Sequence, residues 1–335
     1  MGPAGGDGMN SIFERVIRGI GSVTSPAGKG SPLTVLLYHR VLDRPDELNP
    51  GEPSATQFDQ QMSVLARMFN VLALNEALSR LSNGTLPARA LSVTFDDGYR
   101  DNLDVAVPIL QRHGLHATFF ITSGLINGGR MMHDTVIETV RRLNSQAVDF
   151  GWLGLGRRRV TDVTSRLALI KELLGHVKYL PFEQRVEACE RLAALVGDAL
   201  PDSLMMTSEH VKAIDRAGMH VGAHTHLHPI LSKLPAEQAY SQILMSRDLL
   251  GQMIGTVPSM FAYPNGKPSL DYGVEHVEMV KKAGFTAAVS VSFGTVTQDS
   301  DLLQIPRFCP WDRDPRRFAL RLLTHPVRHR ASTKA

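Results

Sequence analysis

Apolar positions along the chain fall into two rhythms. Short continuous apolar runs, "LTVLLYH" (33–39), "ALSVTF" (90–95), "SMFAYP" (259–264) and "LLQIPRF" (302–308), predict strands buried on both faces. Three further stretches join a helical segment to such a run through a glycine: "ILQRHGLHATFFI", "VKAIDRAGMHVGAH" and "MVKKAGFTAAVSV". Gly114, Gly218 and Gly284 stand where a helix C-terminus prefers a left-handed residue. Helix, glycine and buried strand, repeated, predict an α/β fold with parallel strands. About seven candidates favour closure into a distorted (β/α) barrel.

Between Arg130 and Pro201 the strand rhythm stops. "SRLALIKELLGHV" and "PFEQRVEACERLAALVG" carry helical spacing, which predicts a helical insertion over about 130–201. Placed after a barrel strand, it would lie over the C-terminal face, where βα loops build active sites. On its second helix Phe182, Val186, Cys189 and Leu192 read as one core-facing stripe, making Cys189 a packing residue. Residues 1–30, rich in Gly and Ser, read as a flexible lead, 31–310 as the main domain, and 311–335 as a basic tail.

Composition narrows the function classes. With 335 residues, 43% apolar and 21% charged, the chain has globular proportions. Lys plus Arg (36) exceeds Asp plus Glu (33) by only 3, which argues against a nucleic-acid partner. The excess sits in the tail, where seven Lys/Arg against Asp312 and Asp314 leave +5. Ile12, Phe13, Val16, Ile17 and Ile20, beside Arg15 and Arg18, form a short amphipathic pattern, so both termini offer peripheral membrane contact. No run has the length of a signal peptide core or a membrane span, which points to the cytoplasm or the inner membrane face. Cys189 and Cys309 form no CxxC pair and make neither a disulfide framework nor a thiolate metal site. Thirteen histidines direct attention to metal or proton chemistry.

Two clusters carry that chemistry. Asp96 and Asp97 close the run "ALSVTF", where adjacent carboxylates repel. His224, His226 and His228 in "GAHTHLHPI" close another predicted strand at the same end. Parallel strands bring the clusters together, and a cation between them removes the repulsion. One carboxylate then binds the metal and its neighbour remains free to act as a base.

These residues resemble the polysaccharide deacetylases with a NodB homology domain, carbohydrate esterase family 4. The family's T-F-D-D-G motif stands as Thr94 to Gly98, and its H-[S/T]-x-x-H motif as His224 to His228. The resemblance implies that Asp96 is the general base, that Asp97, His224 and His228 hold one divalent ion, usually Zn2+, and that His226 is a neighbour. Where the family has R-x-P-Y, this chain has "FAYPNG", with Ala262 at the position of the Arg that supports the base. Tyr263 and the N–H of Asn265 are then implied at the substrate and oxyanion positions. Arg307, in "LLQIPRF", is the candidate replacement, because its strand should end on the same face. The "AYP" form with an early "YH" is similar to the branch acting on poly-N-acetylglucosamine and other exopolysaccharides. In that branch the acid is an N-terminal histidine, here His39, which is preferred over His325 of "LRLLTHP". The implied reaction is removal of N-acetyl groups from 2-acetamido sugars of an N-acetylated glycan. That branch acts outside the cytoplasm, so export is the alternative location. Two other functions stay open: a sugar-binding protein without turnover, because of Ala262, and a two-His-one-carboxylate iron oxygenase, because of the ligand set.

Overall fold

A computed structural model of the chain describes residues 15, 17–144, 147–197 and 200–328. Its first half alternates β1 (Thr34–Tyr38), α1 (Ala55–Met68), β2 (Asn70–Val71), α2 (Leu74–Ser82), β3 (Ala90–Phe95), α3 (Val107–Arg112) and β4 (Ala117–Ile121). The insertion follows as α4 (Met132–Arg142), a hairpin of β5 (Val148–Asp149) and β6 (Arg157–Arg158), α5 (Val163–Val177) and α6 (Phe182–Ala194). Alternation then resumes with α7 (Ser208–Arg216), β7 (His220–Ala223), α8 (Ala236–Ile254), β8 (Met260–Ala262), α9 (Val274–Lys282), β9 (Ala287–Val289) and finally α10 (Pro315–Arg328).

Six of these strands form a parallel sheet in the order β1, β3, β4, β7, β8, β9, with β2 added beside β3. Residues 302–308 do not form the seventh strand expected of them. They contribute two parallel bridges, Ile305 to Val289 and Phe308 to Leu36, which join the two edges and curl the sheet into a distorted barrel. Pro306 lies between the bridges and has no N–H to give a continuous ladder.

β1, β3 and β4 are buried along their whole length, as their apolar runs require. Phe95 stacks between Tyr38 (5.4 Å) and Phe119 (4.8 Å), and Phe58 of α1 meets the rings of Tyr38 and Phe95 edge-on. α1 begins at a capping box in which Ser54 and Gln57 satisfy each other's backbone N–H. Gly114, Gly218 and Gly284 all take left-handed φ after their helices. In β7 a side chain at Gly222 would strike the Phe120 ring at 2.4 Å, so glycine is what lets β7 lie against β4.

The insertion has a core of its own around Val140, Phe150, Leu169, Leu173 and Leu192, and it includes a hairpin that helical spacing did not suggest. On α6 the core-facing stripe is Arg185, Ala188 and Leu192, whereas Val186 is exposed and Cys189 half-buried. Of the expected stripe, Leu192 is in the core and Cys189 packs against it, whereas Phe182 and Val186 turn to a second face.

The described residues near both ends pack on the main domain. Ile17 is buried in the main core, and α10 adds Phe318, Ala319, Leu322 and Leu323 to it. The reason is helical spacing: Phe318, Ala319, Leu322 and Leu323 share one face, while Arg316, Arg317 and Leu320 point outward. Ile12, Phe13 and Val16 lie outside the described residues; Ile20 is exposed. No described helix is long and apolar enough to cross a membrane.

Candidate active site

The loops that leave β3, β7 and β8 hold five non-glycine residues with left-handed φ: Asp97 (77°), Thr225 (62°), His228 (54°), Asn265 (58°) and Ser269 (63°). Such backbone is costly for a residue with a Cβ, and its concentration at one end of the sheet marks a site rather than ordinary turns. The left-handed turns redirect side chains at the strand ends, and Asp97, His224 and His228 converge there.

In that cluster one ligand atom from each residue lies within 4.8 Å of the others. Asp97 Oδ1 is 3.4 Å from Nε2 of His224 and of His228. His224 donates its Nδ1 hydrogen to the Ala262 carbonyl at 2.8 Å, which directs Nε2 to the cluster. Burial alone would raise the Asp97 carboxyl, but the His224 hydrogen bond and the charges of His228, His39 and His224 outweigh it and hold the group far below its ordinary range. Burial pushes His228 well below the ordinary imidazole value, against the charge of Asp97 that raises it. Burial acts the same way on His224, where Asp96 and Asp97 overcome it and raise the value. An ionised carboxylate with two imidazoles around a shared point suits a divalent ion of zinc type, which would take the place of the His224 proton.

Asp96 is turned the other way. Arg307 grips it in a two-pronged ion pair, Nη1 to Oδ1 at 2.7 Å and Nη2 to Oδ2 at 2.6 Å. Both side chains are buried, at 2% exposure for Arg307 and 3% for Asp96. The guanidinium is held in turn by Ser290 O (3.0 Å) and Thr94 Oγ1 (3.2 Å). Ala262, at the position of the usual motif Arg, is buried on β8 and contributes its carbonyl to His224 instead.

The other expected residues divide. His39 follows β1, with its carbonyl held by Asn102 Nδ2 at 2.8 Å and its side chain near enough to influence Asp97. Asn265 lines the adjoining cavity, and among the described residues no acceptor takes its N–H. Tyr263 departs from expectation. Its ring is fully buried, stacked on Tyr272 at 3.8 Å, and its hydroxyl donates to Leu303 O at 3.0 Å, so its side chain is committed to the core. His226 stands outside the cluster with Nδ1 3.0 Å from Ser123 Oγ. His325 is remote from it, packed on Phe308 and bonded to Gly294 O.

Several site residues escaped sequence reasoning. Arg185 of α6 donates to the His228 carbonyl at 2.9 Å, tying the insertion to the cluster. Its one sequence signal is a cation on the face of Ala188 and Leu192. Tyr99 donates to Asp134 Oδ2 (2.8 Å), so its oxygen accepts from His133 Nε2 (2.5 Å). Burial and the charges of Asp134 and Asp97 push the Tyr99 hydroxyl well above its ordinary value. Arg40 bridges Asp101 and Asp134 and lies 4.5 Å over the Tyr99 ring. Tyr99 follows the T-F-D-D-G stretch directly, but nothing local ties it to Asp134.

A carboxylate fixed by a guanidinium beside an Asp–His–His cluster, at the C-terminal ends of parallel barrel strands, is an arrangement suited to hydrolysis. The family profile described as polysaccharide deacetylase matches residues 83–181 and 183–288, and the chain belongs to that family, a family of deacetylase hydrolases. YxkH of Bacillus subtilis (strain 168), named as a polysaccharide deacetylase, is 21% identical over 281 residues, 83% of this chain and 71% of that protein. Among solved structures, Streptococcus pyogenes deacetylase PplD in complex with acetate superposes with a TM-score of 0.59 at 19% identity, over 88% of this chain and 99% of that one. IcaB from Ammonifex degensii gives 0.56 at 18% identity, over 88% and 98%. At these identities the likeness of structure is one of fold.

Proposed function

We propose that this protein removes N-acetyl groups from 2-acetamido sugars of a glycan, with one divalent ion, zinc by ligand type, held by Asp97, His224 and His228. The observation that carries the reading is the bidentate Arg307–Asp96 pair beside that cluster. It supplies the support that Ala262 had left in question and so weakens the case for a binding protein without turnover. Membership of the deacetylase family leaves the iron oxygenase without support.

When bound, the metal supplies Lewis acidity, lowering the pKa of a water and polarising the acetyl carbonyl. Asp96, oriented by Arg307, accepts the water's proton as oxygen attacks. The unpaired N–H of Asn265 donates to the developing oxyanion. His39 protonates the departing amine, which cannot leave as an amide anion. The products are acetate and a free sugar amine. An exopolysaccharide substrate is favoured by the "AYP" form and the early "YH".

The test is acetate release from N-acetylglucosamine oligomers and poly-N-acetylglucosamine, before and after chelation and zinc return. Activity that disappears with chelator and returns with zinc supports the proposal. No acetate from any N-acetylated glycan by protein carrying one zinc per chain would refute it.

A further inference from the structure

The cavity beside His228 and Asn265 measures about 570 Å³ and is walled by the insertion. Much of its surface is apolar, from Leu125, Met131, Met132, Phe182, Val186 and Leu227. α6 contributes Phe182, Val186 and Cys189 to it at helical spacing, of which Cys189 also packs against the insertion's core. A helix with one stripe in a core and a second apolar stripe on a cavity is organised for an apolar ligand. Sugar hydroxyls laid against those side chains would lose water and gain no partner. The methionines add a flexible wall that adapts to a flexible chain.

Two guanidiniums border the same space. Arg185 is only 6% exposed; one N–H reaches the His228 carbonyl, and the group lies 5.3 Å over the Phe182 ring. Arg130 donates to Thr135 Oγ1 at 3.1 Å and to Pro201 O at 2.7 Å. Neither pairs with a carboxylate among the described residues, Glu190 of the cavity wall included. Buried cations normally have an anionic partner, and guanidinium geometry matches phosphate oxygens.

We propose that this pocket binds an anionic amphiphile: the N-acetylated sugar reaches the site attached through phosphate to a hydrocarbon chain. The chain would lie along the second face of α6, and the phosphate near Arg185 and Arg130. The inference rests on the deacetylase reading for the identity of the sugar, while the pocket can be tested without turnover.

Calorimetric titration of the full chain with decyl phosphate, inorganic phosphate and decyl glucoside separates the contributions. Decyl phosphate should bind at least about tenfold more tightly than inorganic phosphate, since two buried methylenes already supply that factor, and at least about tenfold more tightly than decyl glucoside, since charge-assisted hydrogen bonds to the guanidiniums supply a similar one. Val186→Glu, at an exposed position where the core is not disturbed, should weaken decyl phosphate by about tenfold or more. Arg130→Gln and Arg185→Gln should weaken decyl phosphate and leave decyl glucoside unchanged. Equal binding of decyl glucoside would overturn the anionic part, and equal binding of inorganic phosphate the apolar part. No binding of any probe by protein that still releases acetate sinks the inference and spares the deacetylase reading. Decyl phosphate binding by protein that releases no acetate supports the pocket and counts against that reading.

Discussion

Arg307 and Asp96 are 211 positions apart and share two hydrogen bonds in a setting from which water is excluded, so their coupling is measurable. Arg307→Met leaves a buried carboxylate without its cation, a change that costs on the order of 3–5 kcal/mol. Coulomb's law agrees in scale: unit charges about 4 Å apart at an effective dielectric constant of about 20 interact by about 4 kcal/mol. Arg307→Lys keeps the charge but cannot reproduce the paired contacts or hold Ser290 O and Thr94 Oγ1 as well, so about 1–3 kcal/mol is expected. Asp96→Asn with Arg307→Met removes both charges, and its loss should be smaller than the sum of the single losses by at least about 2 kcal/mol. Urea unfolding of the four proteins of the cycle gives this difference. Acetate release provides the second reading: Arg307→Met should lower kcat by about 10–10³ with little change in KM, because positioning of the base is lost and substrate contacts are kept. Additive stability effects, within about 0.5 kcal/mol, together with an unchanged kcat would refute the assignment of Arg307 as the support of Asp96.

Asp97→Ala, His224→Ala and His228→Ala should each abolish stoichiometric metal in elemental analysis while His226→Ala retains it; loss from the His226 variant alone would show that the cluster is wrongly chosen. His39→Ala should keep most hydrolysis of an aryl acetate, whose phenolate needs no proton, and lose release from an N-acetylglucosamine oligomer by about 10²–10⁴; equal loss on both substrates would remove His39 as the acid. Burial alone would raise the Asp46 carboxyl, but its hydrogen bonds to Arg141, which tie the β1–α1 loop to α4, outweigh this and lower it. Asp46→Asn should therefore cost about 0.5–1 kcal/mol in urea unfolding above about pH 4, the difference vanishing as pH falls through the lowered value; a loss that persists unchanged in acid would argue against the ion pair. Cys189, pushed up to about 11 by burial, should react with iodoacetamide at pH 8 at least about tenfold more slowly than a free thiol.

Much of the barrel was legible because its determinants are local. Ala90–Phe95 is a strand because a continuous apolar run needs cover on both faces, and Gly114, Gly218 and Gly284 end helices because each must take left-handed φ. The acid pair and the His224–His228 cluster were legible for the same reason: each is a short segment at a strand end, and parallel strands share that end. What local pattern could not give was decided by closure. Pro306 reduced an expected strand to two bridges, yet those bridges bring Arg307 across the barrel to Asp96. Tyr263 has a motif position, but packing against Tyr272 turned its ring into the core. Phe182 and Val186 have the spacing of a core stripe, and only the seating of α6 shows that Arg185, Ala188 and Leu192 took the core while they took the cavity. Periodicity states that a helix has an apolar face; which neighbour covers it depends on contacts among residues far apart in the chain, and those exist only once the sheet has closed.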